Sequence, residues 1–165
     1  MGTHRDALNL YSFFKYGNIG DICTGMPVER LWKHIDRRRL SKKYHHAEWS
    51  YSYFYRYHIE LIIIEEHLDV IVLNMNLINP AIDFFVGDEK QKTTIDRNIT
   101  LETLPAGLEK YNIGWGFEQR YCFNRQLAVK TEGGVSVMFD FRDGWPPLGR
   151  MIKGNGENKM TDGAV

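Results

Sequence analysis

The chain has 165 residues, with 21 basic and 21 acidic side chains in exact balance, 43% hydrophobic content and 25% charged content. That length suits one domain with a core that needs no covalent staples. The charge balance excludes a protein drawn to nucleic acid or an anionic membrane by its overall field. Cys23 and Cys122 are too few for a disulfide framework and read as packed thiols. The opening MGTHRDALNL lacks the apolar core of a secretory signal, and the longest apolar run, Ile59–Ile64, is broken by Glu60 and too short to span a bilayer. The expected compartment is the cytosol.

Ala7, Leu10, Tyr11 and Phe14 fall at i, i+3, i+4 and i+7 and predict a first helix, capped by Thr3, with Asp6 in its first turn and Gly17 as a left-handed stop. Residues 18–24 form a short strand around Ile19 and Ile22. Pro27 opens a second helix at its first position, with Val28, Leu31, Trp32 and Ile35 on one face. Arg37, Arg38 and Arg39 lie at or past its carboxyl end, where cations are stabilised. With Lys42 and Lys43 they are either a phosphate-binding patch or a solvated helix end.

Residues 48–75 are the centre of the chain. Trp49, Tyr51, Tyr53, Tyr55, Tyr57, Ile59, Leu61 and Ile63 share one parity and should line the buried face of a long strand. Glu65, Glu66 and His67 make a turn, and a second strand runs back to Met75. Exposed aromatics beside Arg56 would instead suit stacking of single-stranded bases, but register with three aliphatic residues favours the core.

Pro80 interrupts the chain, and Ile82–Val86 forms a short strand ended by Gly87-Asp88. Residues 88–98 read as a loop. Thr100 caps a short helix carrying Leu101, Leu104, Leu108 and Tyr111, which Pro105 should kink or split. Strands follow at 113–117, 120–130 and 135–141, the last two joined by the tight turn Glu132-Gly133-Gly134. Trp145-Pro146-Pro147 is a rigid extended segment, and Leu148, Met151 and Ile152 make a last strand or edge. A shift of 66 residues lays Trp49 on Trp115, Leu61 on Leu127, Glu66 on Glu132 and Ile71 on Val137, which suggests a duplicated unit. The expected architecture is α+β: an antiparallel sheet of about six strands in two hairpins, with two or three helices on one face. It occupies residues 1–153, and 154–165 is a flexible polar tail.

No constellation announces chemistry. Adjacent His45 and His46 point to opposite faces of a strand, and His34, His58 and His67 lack ligand-spaced partners. Cys23, beside the strand–helix junction at Gly25, is the better nucleophile candidate, but no base is spaced to activate it. Gly17, Gly20 and Gly25 lack the lysine of a phosphate loop. No catalytic residue, metal or cofactor is expected.

A family resemblance carries more weight. Ile19-Gly20-Asp21-Ile22 followed by Thr24-Gly25-Met26-Pro27, with Val28, Glu29 and Leu31, resembles the GDI–x–x–GM strand-to-helix opening of many small bacterial immunity proteins. These neutralise polymorphic toxins, including those of contact-dependent growth inhibition. Tyr57-His58-Ile59-Glu60-Leu61 is similar to their YxxLEL strand, and Leu68 and Ile71 to the returning LxxI. Leu127, Val129, Thr131, Glu132, Gly134, Val135 and Phe139 resemble a later LxVxTExGVxxxF strand pair. The usual LLGxP after the helix is absent.

The resemblance implies a non-enzymatic cytosolic protein that binds the C-terminal domain of one cognate toxin and blocks its active site or substrate groove. It implies no nucleic-acid or membrane partner. Many such toxins are nucleases with basic grooves, so the expected contacts are acidic: Glu65, Glu66 and Asp69, with Asp88 and Glu89 as a second patch. The alternatives are a small ligand-binding or enzymatic domain with a site near Cys23, and a nucleic-acid-binding module built on the aromatic stripe.

Overall fold

A computed structural model describes residues 6–56, 58–75, 82–88, 90–142 and 148–156. Thr3, Tyr57, Pro80, Glu89, Trp145-Pro146-Pro147 and the tail from 157 onward lie outside them. In chain order the elements are β1 (Asp6–Asn9), α1 (Tyr11–Tyr16), β2 (Asn18–Ile19), β3 (Ile22–Cys23), α2 (Val28–Leu31), β4 (Tyr44–Ala47), β5 (Ser50–Tyr55), β6 (Ile59–Ile64), β7 (His67–Asn74) and β8 (Ile82–Val86). They continue with β9 (Thr93–Ile95), α3 (Thr103–Lys110), β10 (Trp115–Phe117), β11 (Gln126–Thr131), β12 (Ser136–Asp140) and β13 (Leu148–Gly154).

The α+β class holds, but the main sheet is larger than the expected six strands. Its order is β10-β11-β12-β13-β7-β6-β5-β4, eight strands, antiparallel throughout. A three-stranded sheet, β1-β8-β9, holds the parallel pair β1·β8, and β2·β3 is a two-stranded ribbon. The last strand, β13, is no edge. It lies between β7 and β12.

One face of the main sheet carries Leu61, Ile63, Ile71, Leu73, Val129, Val137, Phe139 and Met151. These join one hydrophobic core with Phe13 and Phe14 of α1, Val28 and Leu31 of α2, Leu104 and Leu108 of α3, and Phe84 of the small sheet. The expected long strand is two strands. The chain reverses after Tyr55, and Tyr55 pairs with Ile59, Tyr53 with Leu61 and Tyr51 with Ile63. A three-residue loop returns each residue opposite one of its own parity, so alternation reads the same for a straight strand and for this hairpin. Tyr51, Ile59, Leu61 and Ile63 are buried as expected.

Other expectations need correction. Residues 6–9 are a strand, not the start of a helix, because they pair with β8, and Leu10 N–H continues that contact to Phe85 O at 2.7 Å. Ala7, a member of the proposed helical face, is exposed. The helix that remains does end at Gly17 in the left-handed region. Pro27 is the cap residue of α2 rather than its first helical residue. The arginines form a separate 3-10 turn, Arg37–Arg39, capped by the Asp36 carboxylate. Pro105 does not split α3, which runs unbroken over Thr103–Lys110, because it stands third in the helix, within the first turn, where a missing N–H costs no bond inside the helix. The segment read as a loop contains β9, and Gly154, placed in the tail, pairs with Val70.

The 66-residue repeat also fails. It would lay β6 on β11 and β7 on β12. Both pairs run in the same direction with the same face inward, yet each set advances toward the sheet centre from the opposite side. Superposing them requires a reflection. A two-fold rotation normal to the sheet relates β4–β7 to β10–β13 instead, and lays Ser50 on Gln126.

The end of α1 presses on the turn between β11 and β12. Gly133 N–H donates to Phe14 O at 2.8 Å, and a Cβ on Gly133 would lie 2.4 Å from Gly17 N. The turn therefore needs glycine for space. Gly133→Ala should destabilise the protein by about 2–4 kcal/mol, the range of overpacking and backbone strain, read as a lower urea midpoint with an unchanged slope.

Just past β10, Glu118 is almost fully covered. Arg120 Nε donates to its carboxylate at 3.0 Å, and Lys130 Nζ lies at 3.2 Å. The Arg120 bond, with help from Lys130, holds its pKa below the usual glutamate range against the opposing effect of burial. The stabilisation is therefore complete above the unfolded value of about 4.3 and is lost as pH falls through the lower folded value. Glu118→Gln should cost about 1–3 kcal/mol at neutral pH, and the gap to wild type should close in acid, measured by denaturant melts across pH.

Candidate partner surface

Two turns lie side by side at one end of the main sheet. Residues 48 and 49 join β4 to β5, and residues 65 and 66 join β6 to β7. Since Ser50 pairs with Ile64, the turns are neighbours, and Glu65 N–H donates to Trp49 O at 3.0 Å. Glu65 and Glu66 have φ of 48° and 59°, the twist of a type I′ hairpin turn. Glutamate is a poor residue there, where Asn and Gly are preferred.

Tertiary contacts hold the second glutamate. Tyr51 Oη lies 3.0 and 3.1 Å from the two carboxylate oxygens of Glu66, and Glu66 O accepts Val28 N–H at 2.9 Å. Burial and then the Glu66 carboxylate push the Tyr51 hydroxyl up to about 12, so it stays a neutral donor at any physiological pH. The first free N–H of α2 thus closes onto the turn, which brings exposed Glu29 to the same end as exposed Glu48, Glu65 and Glu66.

Trp49 sits among these carboxylates and is 59% exposed. This overturns its expected place on the buried face. It belongs to a turn rather than a strand, and a Glu-Trp turn has no glycine, proline or asparagine to betray it in the sequence.

The expected acidic residues divide. Glu65 and Glu66 are together and face solvent. Asp69 is half-buried in β7, where a bulge opposite Ile62 and Ile63 leaves it out of the ladder, and its carbonyl accepts Asn155 N–H at 2.7 Å. Asp88 follows β8 of the small sheet and accepts the N–H groups of Lys90 and Gln91, each at 2.9 Å, which makes it a turn-former. Glu89 lies outside the described residues.

The basic segment is largely engaged. Arg38 grips Asp36 through two bonds of 3.0 Å, and Arg39 bonds Asp6. Arg37 lies 5.2 Å over Trp32, Lys42 5.5 Å over Tyr44 and Lys43 3.5 Å over Tyr51. The tyrosine stripe is turned inward: Tyr53 meets Trp32 edge to face at 5.4 Å and Tyr51 at 5.9 Å. Cys23 is exposed, and Cys122 Sγ lies 3.3 Å from Glu118 O. Among the described residues no group of three His, Cys, Asp or Glu could hold a metal, and no helix is long and apolar enough to cross a membrane.

No family model, curated protein or solved structure matches the chain.

Tyr51→Phe keeps the ring and removes the bond to Glu66. The expected loss is about 1–2 kcal/mol, that of a hydrogen bond to a charged group at a partly solvated site, and Glu66→Gln in the Tyr51→Phe background should cost little more. The double-mutant cycle in urea measures both.

Proposed function

We propose that this chain is an immunity protein: a non-enzymatic inhibitor that binds the C-terminal domain of one bacterial toxin in the cytosol and covers its active site or substrate groove. The observation that carries the reading is Trp49, 59% exposed on a turn bonded to the turn of Glu65 and Glu66. Large aromatic side chains ringed by polar groups dominate the energy of protein interfaces, and a rigid one costs little to order on binding. Carboxylates around it add attraction to a basic groove such as a nuclease uses for phosphates, mainly as association rate and selectivity. The motifs at Ile19-Gly20-Asp21-Ile22 and Gly25-Met26-Pro27 lead into α2, whose first N–H braces this surface.

The experiment is co-purification with the product of the gene immediately upstream, followed by affinity measurements on variants. Trp49→Ala should weaken the complex by about 2 kcal/mol or more, some thirtyfold, through faster dissociation. Glu65→Lys with Glu66→Lys should slow association and flatten its salt dependence, with stability lowered by no more than the loss of the Tyr51–Glu66 bond, which Tyr51→Phe measures separately. Unchanged affinity in both, with loss on reversing Arg37 and Arg38, would move the interface to the basic segment.

A further inference from the structure

The six residues of β5 carry the chain roughly 23 Å from Trp49, to Arg56 at the opposite end of the strand. Two cavities, of about 290 and 300 Å³, share Arg56 as a wall. The first is lined by Arg38, Arg39 and Arg56, with Asp6 beside them and Phe54 and Ile82 as apolar walls. The second is lined by Leu8, Ile19, Ile22, Ile59 and the ring of Tyr55, with His34 and Asp21 3.6 Å apart on its polar side.

The position of Arg56 is set by the backbone. Its φ of 51° lies in the left-handed region, and its N–H donates to Arg39 O at 3.0 Å. Its guanidinium lies 5.4 Å over the Tyr55 ring, and its Nη1 is 3.2 Å from the Asp6 carboxylate. Its Nε is buried and, among the described residues, has no hydrogen-bond acceptor. A buried cationic N–H without an acceptor is costly, and the guanidinium nitrogens beyond it, 28% exposed as a side chain, are the donors that an incoming oxyanion can reach. Asp6 bonds Arg39 and pairs with Arg56, and these two hold its carboxyl below the usual aspartate range. The cavity is thus already a place where negative charge is stabilised.

We propose that the two cavities are one binding site for a small organic phosphate, its phosphate on Arg39 and Arg56 with Arg38 at the rim, and its apolar or aromatic body against Leu8, Ile22, Ile59 and Tyr55. Asp6 pairs with Arg39 and Arg56, and Asp36 with Arg38 and Arg39, so two monoanionic carboxylates face three arginines and the cluster keeps an unbalanced positive charge; a dianion with three acceptor oxygens is the ligand with most to gain from the remaining donors. A pair of clefts, open to solvent, with apolar walls and a few convergent polar groups suits a small molecule. A long polyanion would need a field that the balanced chain does not provide. The site shares no residue with the acidic turns, so it stands or falls apart from partner binding.

Phenyl phosphate, inorganic phosphate and benzoate are the probes, titrated into the full chain and followed by amide chemical shifts and calorimetry. Phenyl phosphate should bind saturably, with shifts at Arg39, Arg56 and Ile59, and more tightly than either of the others. Arg56→Gln should weaken it about tenfold, the loss of one charge-assisted contact. Asp6→Asn, which removes the competing carboxylate, should tighten it severalfold. Should Arg56→Gln fail to fold, Arg39→Gln serves in its place. Absence of saturation at millimolar probe, tighter binding of benzoate, affinity indifferent to both arginine variants, or salt-sensitive capture of a single-stranded oligonucleotide instead would overturn the assignment.

Discussion

Everything in the main sheet depends on the ladder between β7 and β13. Each half of the sheet is a meander of strands consecutive in sequence. The join between them pairs Val70 with Gly154 and Asn74 with Arg150, residues far apart along the chain. That join lays Leu73 beside Met151 on the core face and makes one continuous wall of two half-walls. Without it, β7 and β12 would each present an open edge, the condition that antiparallel sheets must avoid. Closing so long a loop adds only slowly to the entropic cost, but it ties formation of the complete sheet to a late, non-local event.

The helices are short because the sheet does most of the burial. Six, four and eight residues are too few to be stable alone, and each helix persists through side chains inserted into the shared core. Their ends are fastened by backbone contacts to sheet turns. Gly133 receives the end of α1, and the Glu66 carbonyl receives the start of α2. Such contacts fix orientation more sharply than apolar packing, since a backbone hydrogen bond tolerates little displacement.

Among the described residues, the left-handed positions held by neither Gly nor Asn are Arg125, before β11, and three at the two ends of β5 and β6. Glu65 and Glu66 occupy left-handed conformations at one end and Arg56 at the other. Each would be easier as Asn or Gly. Each is also charged and reaches solvent or a cavity rim, and this combination of local strain with exposed charge is where natural sequences depart from their own folding rules for the sake of binding. The acidic end carries an exposed tryptophan and the basic end two cavities, so one hairpin presents opposite charges at opposite ends.

Hydrophobic spacing read most of the core correctly, though it also placed Ala7 and Trp49 inside. Phe14, Leu31, Ile59, Leu61, Ile63, Leu104 and Leu108 are all buried, because burial of large apolar side chains dominates folding and leaves a periodic trace. Gly17 and the Glu132-Gly133-Gly134 turn were legible too, since glycine marks backbone that other residues avoid. Connectivity was decided by the tertiary structure. Parity cannot separate a long strand from a hairpin with a three-residue loop, and apolar matching cannot detect that the 66-residue repeat demands a mirror image. Residues 6–9 became a strand because β8 offered them a parallel edge. Of the candidate surface, the sequence revealed the charge of Glu65 and Glu66 but not their neighbours. Trp49 was drawn outward by a turn without turn residues, and Arg56 was set between two cavities by the reversal after Tyr55. Side-chain chemistry is written residue by residue, whereas exposure and convergence belong to pairs of segments that only the folded backbone brings together.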